Sequence, residues 1–506
     1  MKIFKEMVSL VTKQRLNNLE LIDDAFLDNA NNLYQKLFKG IAEGSFNTDE
    51  DAAMALYQTT ASDKKYLMLK SRLKERLVNT LFFLNHKRIQ DSPYQKAVYQ
   101  CNKNYFCAKI LVTHGARTSA ISLAKSTLTL ALHFDLNEIV LLCARMLRHH
   151  YAMMGLIREF NHFDKLADTS LRLVKSESKA EFMYESLLSQ VARSKAYKSE
   201  LADLAKDYFY QSKELSKYQQ SFHVQLLHYR IGLLYYQVIR NYRFTLNLCN
   251  HLQAFLQKNH RYKLASREGE IALLKMVCCL YLKDYKHGKL NAEEALNFYS
   301  KGSNNWFVVL ENYFLLAMHA AKYKQAAEIY EWATSHQRFQ YLSEEKSEEW
   351  KIFEAYLHYV MPGKMKGKEF KILKFINEVP IYSKDKAGLY PSILIAQLLY
   401  MIDRGDEDNI EKKIESLRVF GSRYLSGRKS VRTSIFIKML RQIVNCHYKP
   451  ERIKVKAVSL YKKLISADAR QQVENETTEI IPYEDIWRII LNRLQLKSPR
   501  FRMRHP

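Results

Sequence analysis

The sequence is short of the two residues that punctuate backbone, with 14 glycines and 8 prolines among 506 residues. Together they make up about 4%, where an ordinary chain has roughly 12%. Residues 94–361 contain no proline at all. Such a stretch excludes turn-rich sandwiches, propellers and small barrels, and the shortage of glycine excludes the glycine-rich phosphate loops of nucleotide folds. Cysteine is scarce and scattered: seven residues form no C-x-x-C pair and sit in apolar contexts such as "LLCARML" and "KMVCCLYL". They read as reduced core thiols. Long apolar runs are missing too. The N-terminal "MKIFKEMVSLVTKQRL" is broken by Lys5, Glu6 and Lys13, where a signal peptide needs an unbroken apolar core, and the most apolar segment, "SILIAQLLYMI", stops at Asp403. The expectation is a cytoplasmic protein without a membrane span.

What is present is apolar substance and positive charge. Apolar residues are 47% and aromatics 12% of the chain, enough for a large core and too much for general disorder. Lys and Arg number 79 against 53 Asp and Glu, a formal net charge of +26. That balance brings nucleic acid and acidic proteins into consideration as partners. The excess is uneven. Residues 1–63 hold 6 basic and 10 acidic residues, whereas residues 64–127 hold 13 basic residues against Glu75 and Asp91, and residues 421–470 hold 13 against Glu451 and Asp468. Candidate contacts to an anionic partner are therefore Lys64, Lys65, Lys70, Arg72, Lys74 and Arg76 in the first block, and Arg423, Arg428, Lys429, Arg432, Lys438 and Arg441 in the second. The plainer alternative is a solvated helix surface.

Three regions are expected. Residues 1–93 form a helical module, in which residues 47–51 cap a helix and "KKYLMLKSRLKERLVNTLFFLNHKR" is amphipathic, with Leu67, Leu69, Leu73, Leu77, Leu81 and Leu84 on its apolar side, closed by Ser92 and Pro93. Residues 94–361 repeat a two-helix unit. Its clearest copies place Tyr285, Gly288, Ala292 and Ala295, then Tyr323, Ala326, Tyr330 and Ala333, on one grid in the second helix of each pair. Small residues there let that helix lie close against its neighbours. On these residues the region resembles the tetratricopeptide-repeat family, although Leu310, Tyr313 and Phe314 stand where that motif has tryptophan, leucine and glycine. Weaker copies start at Arg117, Phe163 and Tyr242, so the period is nearer 40 residues than the family's roughly 34. The resemblance implies an all-α fold, a right-handed superhelical α-solenoid of antiparallel helix pairs, whose inner face holds a peptide or helix of another protein. Residues 362–506 are a basic helical C-terminal region. Pro482 is placed to begin its last helix, with Glu484 and Asp485 in the first turn, before a basic tail.

Catalytic signatures are wanting. "GRKS" at Gly427 lacks the earlier glycine of a phosphate loop, no H-E-x-x-H or G-x-S-x-G occurs, and Asp403–Asp408 does not keep the register of a calcium loop. The carboxylates of "SEEKSEEW" read as a solvated helix entrance. No catalytic residue, metal or cofactor is assigned. "HYRIGLLYYQVIRNYRF" interleaves Tyr229, Arg230, Tyr236, Arg240, Tyr242 and Arg243 as a base-stacking surface would, but aromatics also fill helix-pair interfaces, and that reading is preferred. The expected function is a non-enzymatic helical-repeat scaffold or adaptor that binds an acidic or amphipathic protein segment in a basic groove. The alternative is binding of RNA or single-stranded nucleic acid through basic helix faces. A third is an enzyme whose site is assembled from distant helices.

Overall fold

The computed structural model describes residues 32–46, 48–82, 92–193, 199–218, 221–362, 390–424, 431–466 and 479–501. These residues form 20 α-helices and two short 3-10 turns, with no strand among them. The chain packs as two compact units, residues 1–175 and 176–506. The first holds α1 (Leu33–Ala42), α2 (Asp49–Tyr57), α3 (Lys64–Leu81), α4 (Pro93–Thr113), α5 (Arg117–His133), α6 (Asn137–Met153) and the first half of α7 (Ile157–Arg193). The second takes the rest of α7, then α8 (Ser199–Tyr218), α9 (Phe222–Val238), α10 (Tyr242–Lys258), α11 (Ala265–Leu282), α12 (Tyr285–Phe298), α13 (Asn304–His319), α14 (Tyr323–Thr334) and α15 (Glu344–Val360). It ends with α16 (Tyr390–Arg404), α17 (Glu407–Tyr424), α18 (Val431–Asn445), α19 (Pro450–Ile465) and α20 (Tyr483–Phe501). Helices adjacent in sequence pack on each other through most of each unit, and α11 also touches α13, an arrangement compatible with a helical-repeat solenoid. Among the described residues no helix is long and apolar enough to cross a membrane.

Local chemistry sets the helix starts. Thr48 and Asp51 form a reciprocal capping box on α2, and Ser92 and Gln95 do so on α4. Pro93 takes the first position of α4, where its missing N–H costs nothing and its fixed φ suits the helix. Ser92 and Pro93 thus open a helix, whereas the sequence reading had them close one. On α3 the buried stripe is Tyr66, Leu69 and Leu73, while Leu67, Leu77 and Leu81 of the expected leucine face are exposed. Leu84 lies outside the described residues.

One turn recurs. The residue after a helix adopts a left-handed φ, and the next N–H bonds back five residues: Leu111 O to Ala116 N, Ala131 O to Leu136 N, Tyr151 O to Leu156 N, Tyr236 O to Asn241 N, Cys279 O to Asp284 N and Ala317 O to Lys322 N. Gly115 and Gly155 hold the left-handed position in the first and third, but Asp135, Arg240, Lys283 and Ala321 hold it in the others. Glycine is scarce partly because non-glycine residues bear this conformation. Gly115, Asp135 and Gly155 stand 20 residues apart, one helix each, whereas Arg240 and Lys283 are 43 apart and Lys283 and Ala321 38. Ala321 is exposed with φ 54°, so Ala321→Gly removes left-handed strain without losing a side-chain contact. The unfolded chain gains freedom in return, and the net expectation is a stabilisation of about 0.5–1 kcal/mol, read by urea unfolding.

The small residues of the repeat grid line helix contacts. Gly288, Ala292, Ala295, Ala326 and Ala333 are buried, and Tyr285, Tyr323 and Tyr330 pack half-buried against the same core. A Cβ added at Gly288 would lie 2.7 Å from Leu316 on α13 and 3.1 Å from Cys279 on α11, so α12 touches both neighbours at closest approach. Leu310, Tyr313 and Phe314 are fully buried on α13, a helix apolar nearly all round because it is enclosed on every side. The core runs from Ala272 to Leu494. It therefore crosses position 362, where the sequence reading separates repeat array from C-terminal region: the Tyr356 hydroxyl donates to Ser392 O at 2.8 Å, and the Tyr400 hydroxyl to Ala355 O at 2.7 Å. Helices α1 to α3 have a core of their own.

Candidate functional site

Five chain segments converge on a cleft of about 550 Å³ in the second unit. The turns before α10 and α12 supply Arg240 to Arg243 and Leu280 to Lys283, His319 comes from the end of α13, and residues 479–484 close the far wall with Arg432 behind them. The volume lies within the roughly 300–1,000 Å³ of ligand sites. The two turns are the recurring left-handed kind, with Arg240 at φ 56° and Lys283 at φ 59°. Between them the rings of Tyr242 and Tyr281 stack at 4.3 Å and 15°.

The far wall is an ionic network. Arg432 is 5% exposed; its Nε donates to Glu479 at 2.6 Å, one terminal nitrogen donates to Glu479 at 2.8 Å and Glu484 at 2.5 Å, and the other to Leu464 O at 2.8 Å. Lys283 donates to Glu484 at 2.9 Å, and His319 Nε2 to Glu479 O at 2.6 Å. Burial pulls the Glu484 carboxyl upward, but Arg432 and Lys283 overcome it and hold the group at about 2. Burial keeps His319 below the usual imidazole range. Arg432 and Lys283 are committed to carboxylates, and Arg243 is exposed among the lining residues.

The candidate cations fall in separate places. Lys64, Lys65, Lys70, Arg72 and Lys74 are exposed on α3 in the first unit, and Arg76 is partly buried with its guanidinium 4.8 Å from the Tyr34 ring centre. Lys70 pairs with Asp49 at 2.6 Å. Lys438 and Arg441 are exposed on α18 in the second unit. Arg423 lies in α17, and Arg428 and Lys429 lie outside the described residues. Arg432, grouped with them by sequence, is an internal cation and is not available to a surface partner. Of the aromatic and basic stretch, Tyr229 packs on Phe255, Tyr236 on Phe244 and Tyr242 on Tyr281, while Arg230 pairs with Glu270. These rings fill helix interfaces; Arg243 alone of the three arginines is exposed.

A second buried charge cluster corrects the reading of "SEEKSEEW". Lys346 donates to Glu311 at 2.6 Å and Glu349 at 2.8 Å, and both carboxylates are almost fully buried. One ammonium serves two carboxylates. Burial and the charge of Glu349 therefore push the Glu311 carboxyl up to about 7, against the pull of Lys346.

Nucleophiles are quiet. Burial raises the thiol of Cys101 to about 11 and those of Cys143 and Cys249 to about 12, so they are not thiolates at neutral pH. Among the described residues no three His, Cys, Asp or Glu side chains converge as a metal site. The residues that build the cleft, Arg240, Lys283, His319, Arg432, Glu479 and Glu484, were not grouped from sequence because they lie up to 244 positions apart and share no motif. No family model, curated protein or solved structure matches this chain.

Proposed function

We propose that the chain is a non-enzymatic helical-repeat scaffold of tetratricopeptide-like type, built from antiparallel helix pairs in a right-handed superhelix, which binds an acidic segment of another protein. The cleft carries this reading: exposed Arg243 and the stacked Tyr242 and Tyr281 pair among its lining residues offer charge and apolar surface to an extended acidic chain. The recurrence of one turn at 240, 283 and 321, about 40 residues apart, supports the repeat in that stretch. Binding of single-stranded RNA is the second reading, favoured by the exposed row Lys64, Lys65, Lys70, Arg72 and Lys74 on α3.

Fluorescence anisotropy with a labelled oligoglutamate peptide and a labelled single-stranded RNA separates the two. Arg243→Glu is expected to weaken peptide binding at least about tenfold, while Lys64→Glu/Lys65→Glu/Lys74→Glu leaves it unchanged. Tight RNA binding with a steep salt slope, lost in the α3 variant, would move the assignment to nucleic acid. Binding of neither probe would remove both.

A further inference from the structure

The turn joining α6 to α7 presents an apolar tip. Ala152, Met153, Met154, Leu156 and Ile157 are all exposed, Met154 by 61% and Ile157 by 65%. In the two preceding turns of the same kind one flanking residue is buried: Ala116 stands where this turn has Leu156, and Phe134 where it has Met154. Four large apolar side chains on this turn and the helix ends beside it make an exposed patch of the sort that marks an interaction surface.

Cations rim the tip. Lys125 sits 5.4 Å above the ring of Tyr151 in the last turn of α6, and Arg158 begins α7 beside Ile157, with Glu159 the one acid next to it. Burial, then the nearby Lys125 and Arg117, keep His150 below the usual imidazole range. Three kinds of occupant differ in what they require. A peptide strand or helix needs a concave wall; the concave surface nearby is lined by Lys125, Tyr151, Arg158 and His162, and none of Met153, Met154, Leu156 and Ile157 lines it. A second copy would bring two cationic rims together. A layer that is apolar beneath and anionic at its surface meets both features at once.

We propose that this turn docks the chain on an anionic lipid bilayer, with Met153, Met154, Leu156 and Ile157 entering the headgroup–acyl boundary and Lys125 and Arg158 contacting lipid phosphates and carboxylates. The unbranched methionines adapt to the irregular packing of that layer.

Flotation of the full-length protein with phosphatidylcholine vesicles, with and without about one third phosphatidylserine, is the test. The wild type is expected to float with the anionic vesicles, and Met154→Asp/Ile157→Asp to lower that partition at least about tenfold, with unchanged circular dichroism, melting temperature and oligoglutamate affinity. Met154→Trp is expected to add a blue-shifted emission component on mixing with the same vesicles. Failure of the wild type to float would overturn the proposal. Undiminished flotation of the aspartate variant would do so too, since the net charge alone would then account for the attraction. A concentration-dependent dimer abolished by that variant, without flotation, would assign the tip to a second copy.

Discussion

Replacing Arg432 by methionine is expected to destabilise the second unit by about 3–5 kcal/mol in urea unfolding. The loss comes chiefly from what the arginine leaves behind. Glu479 and Glu484 are 7% and 5% exposed, and without the guanidinium Glu479 loses its fork and keeps the Tyr483 N–H, while Glu484 keeps Lys283 and its own backbone N–H. A triple variant, Arg432→Met/Glu479→Gln/Glu484→Gln, removes the stranded charges and is expected to recover most of the stability. Arg432→Lys is not expected to rescue, because one ammonium cannot reproduce four donations from one planar group to Glu479, Glu484 and Leu464. A loss below about 1 kcal/mol for Arg432→Met would show that the network does not hold α18 to α20. The network also has an acid limit. Because the folded-state pKa of Glu484 is depressed to about 2, its contribution is present above the unfolded value of about 4.5 and is lost as pH falls through about 2.

The Glu311 cluster carries the opposite sign. Its folded-state pKa is raised to about 7, so the folded protein holds that proton more tightly than the unfolded chain. The contribution is fully present below about pH 4.5 and is lost as pH rises through about 7. A shift of this size corresponds to about 3 kcal/mol. Glu311→Gln leaves Lys346 paired one to one with Glu349 and is expected to flatten the fall in stability between pH 5 and 8, with the variant matching the wild type near pH 5 and exceeding it near pH 8. Unfolding titrations across that range check the point; parallel wild-type and variant curves would show that Glu311 stays ionised beside Lys346.

Both clusters show where reading the sequence stops. Lys346 and Glu349 stand in "SEEKSEEW", three residues apart on a helix entrance, a pattern that usually faces water. Glu311, which draws Lys346 inward, is 35 positions away on a helix most of whose side chains are buried. Arg432 lies in a block of 13 cations with nothing local to distinguish it from Lys438 or Arg441, and its carboxylates come from 47 and 52 positions downstream. The same holds for the core crossing position 362: Pro362 marks a change in composition, but Tyr356 and Tyr400 find their partners on the opposite side of it.

The sequence by itself determined the class of structure. Scarce glycine and proline, apolar residues at helical spacing and the caps at Thr48 and Ser92 act within a few residues of one another, so they specify helices before any of them meet. The small-residue grid at Gly288, Ala292, Ala326 and Ala333 carried further, because close approach requires a missing side chain wherever the partner helix comes from. The tertiary structure decided which charges are internal, which aromatics face a neighbour and which turn is left bare. Those outcomes depend on pairs separated by tens to hundreds of positions, and the cost of burying a charge is set by its partner rather than by its neighbours in the chain.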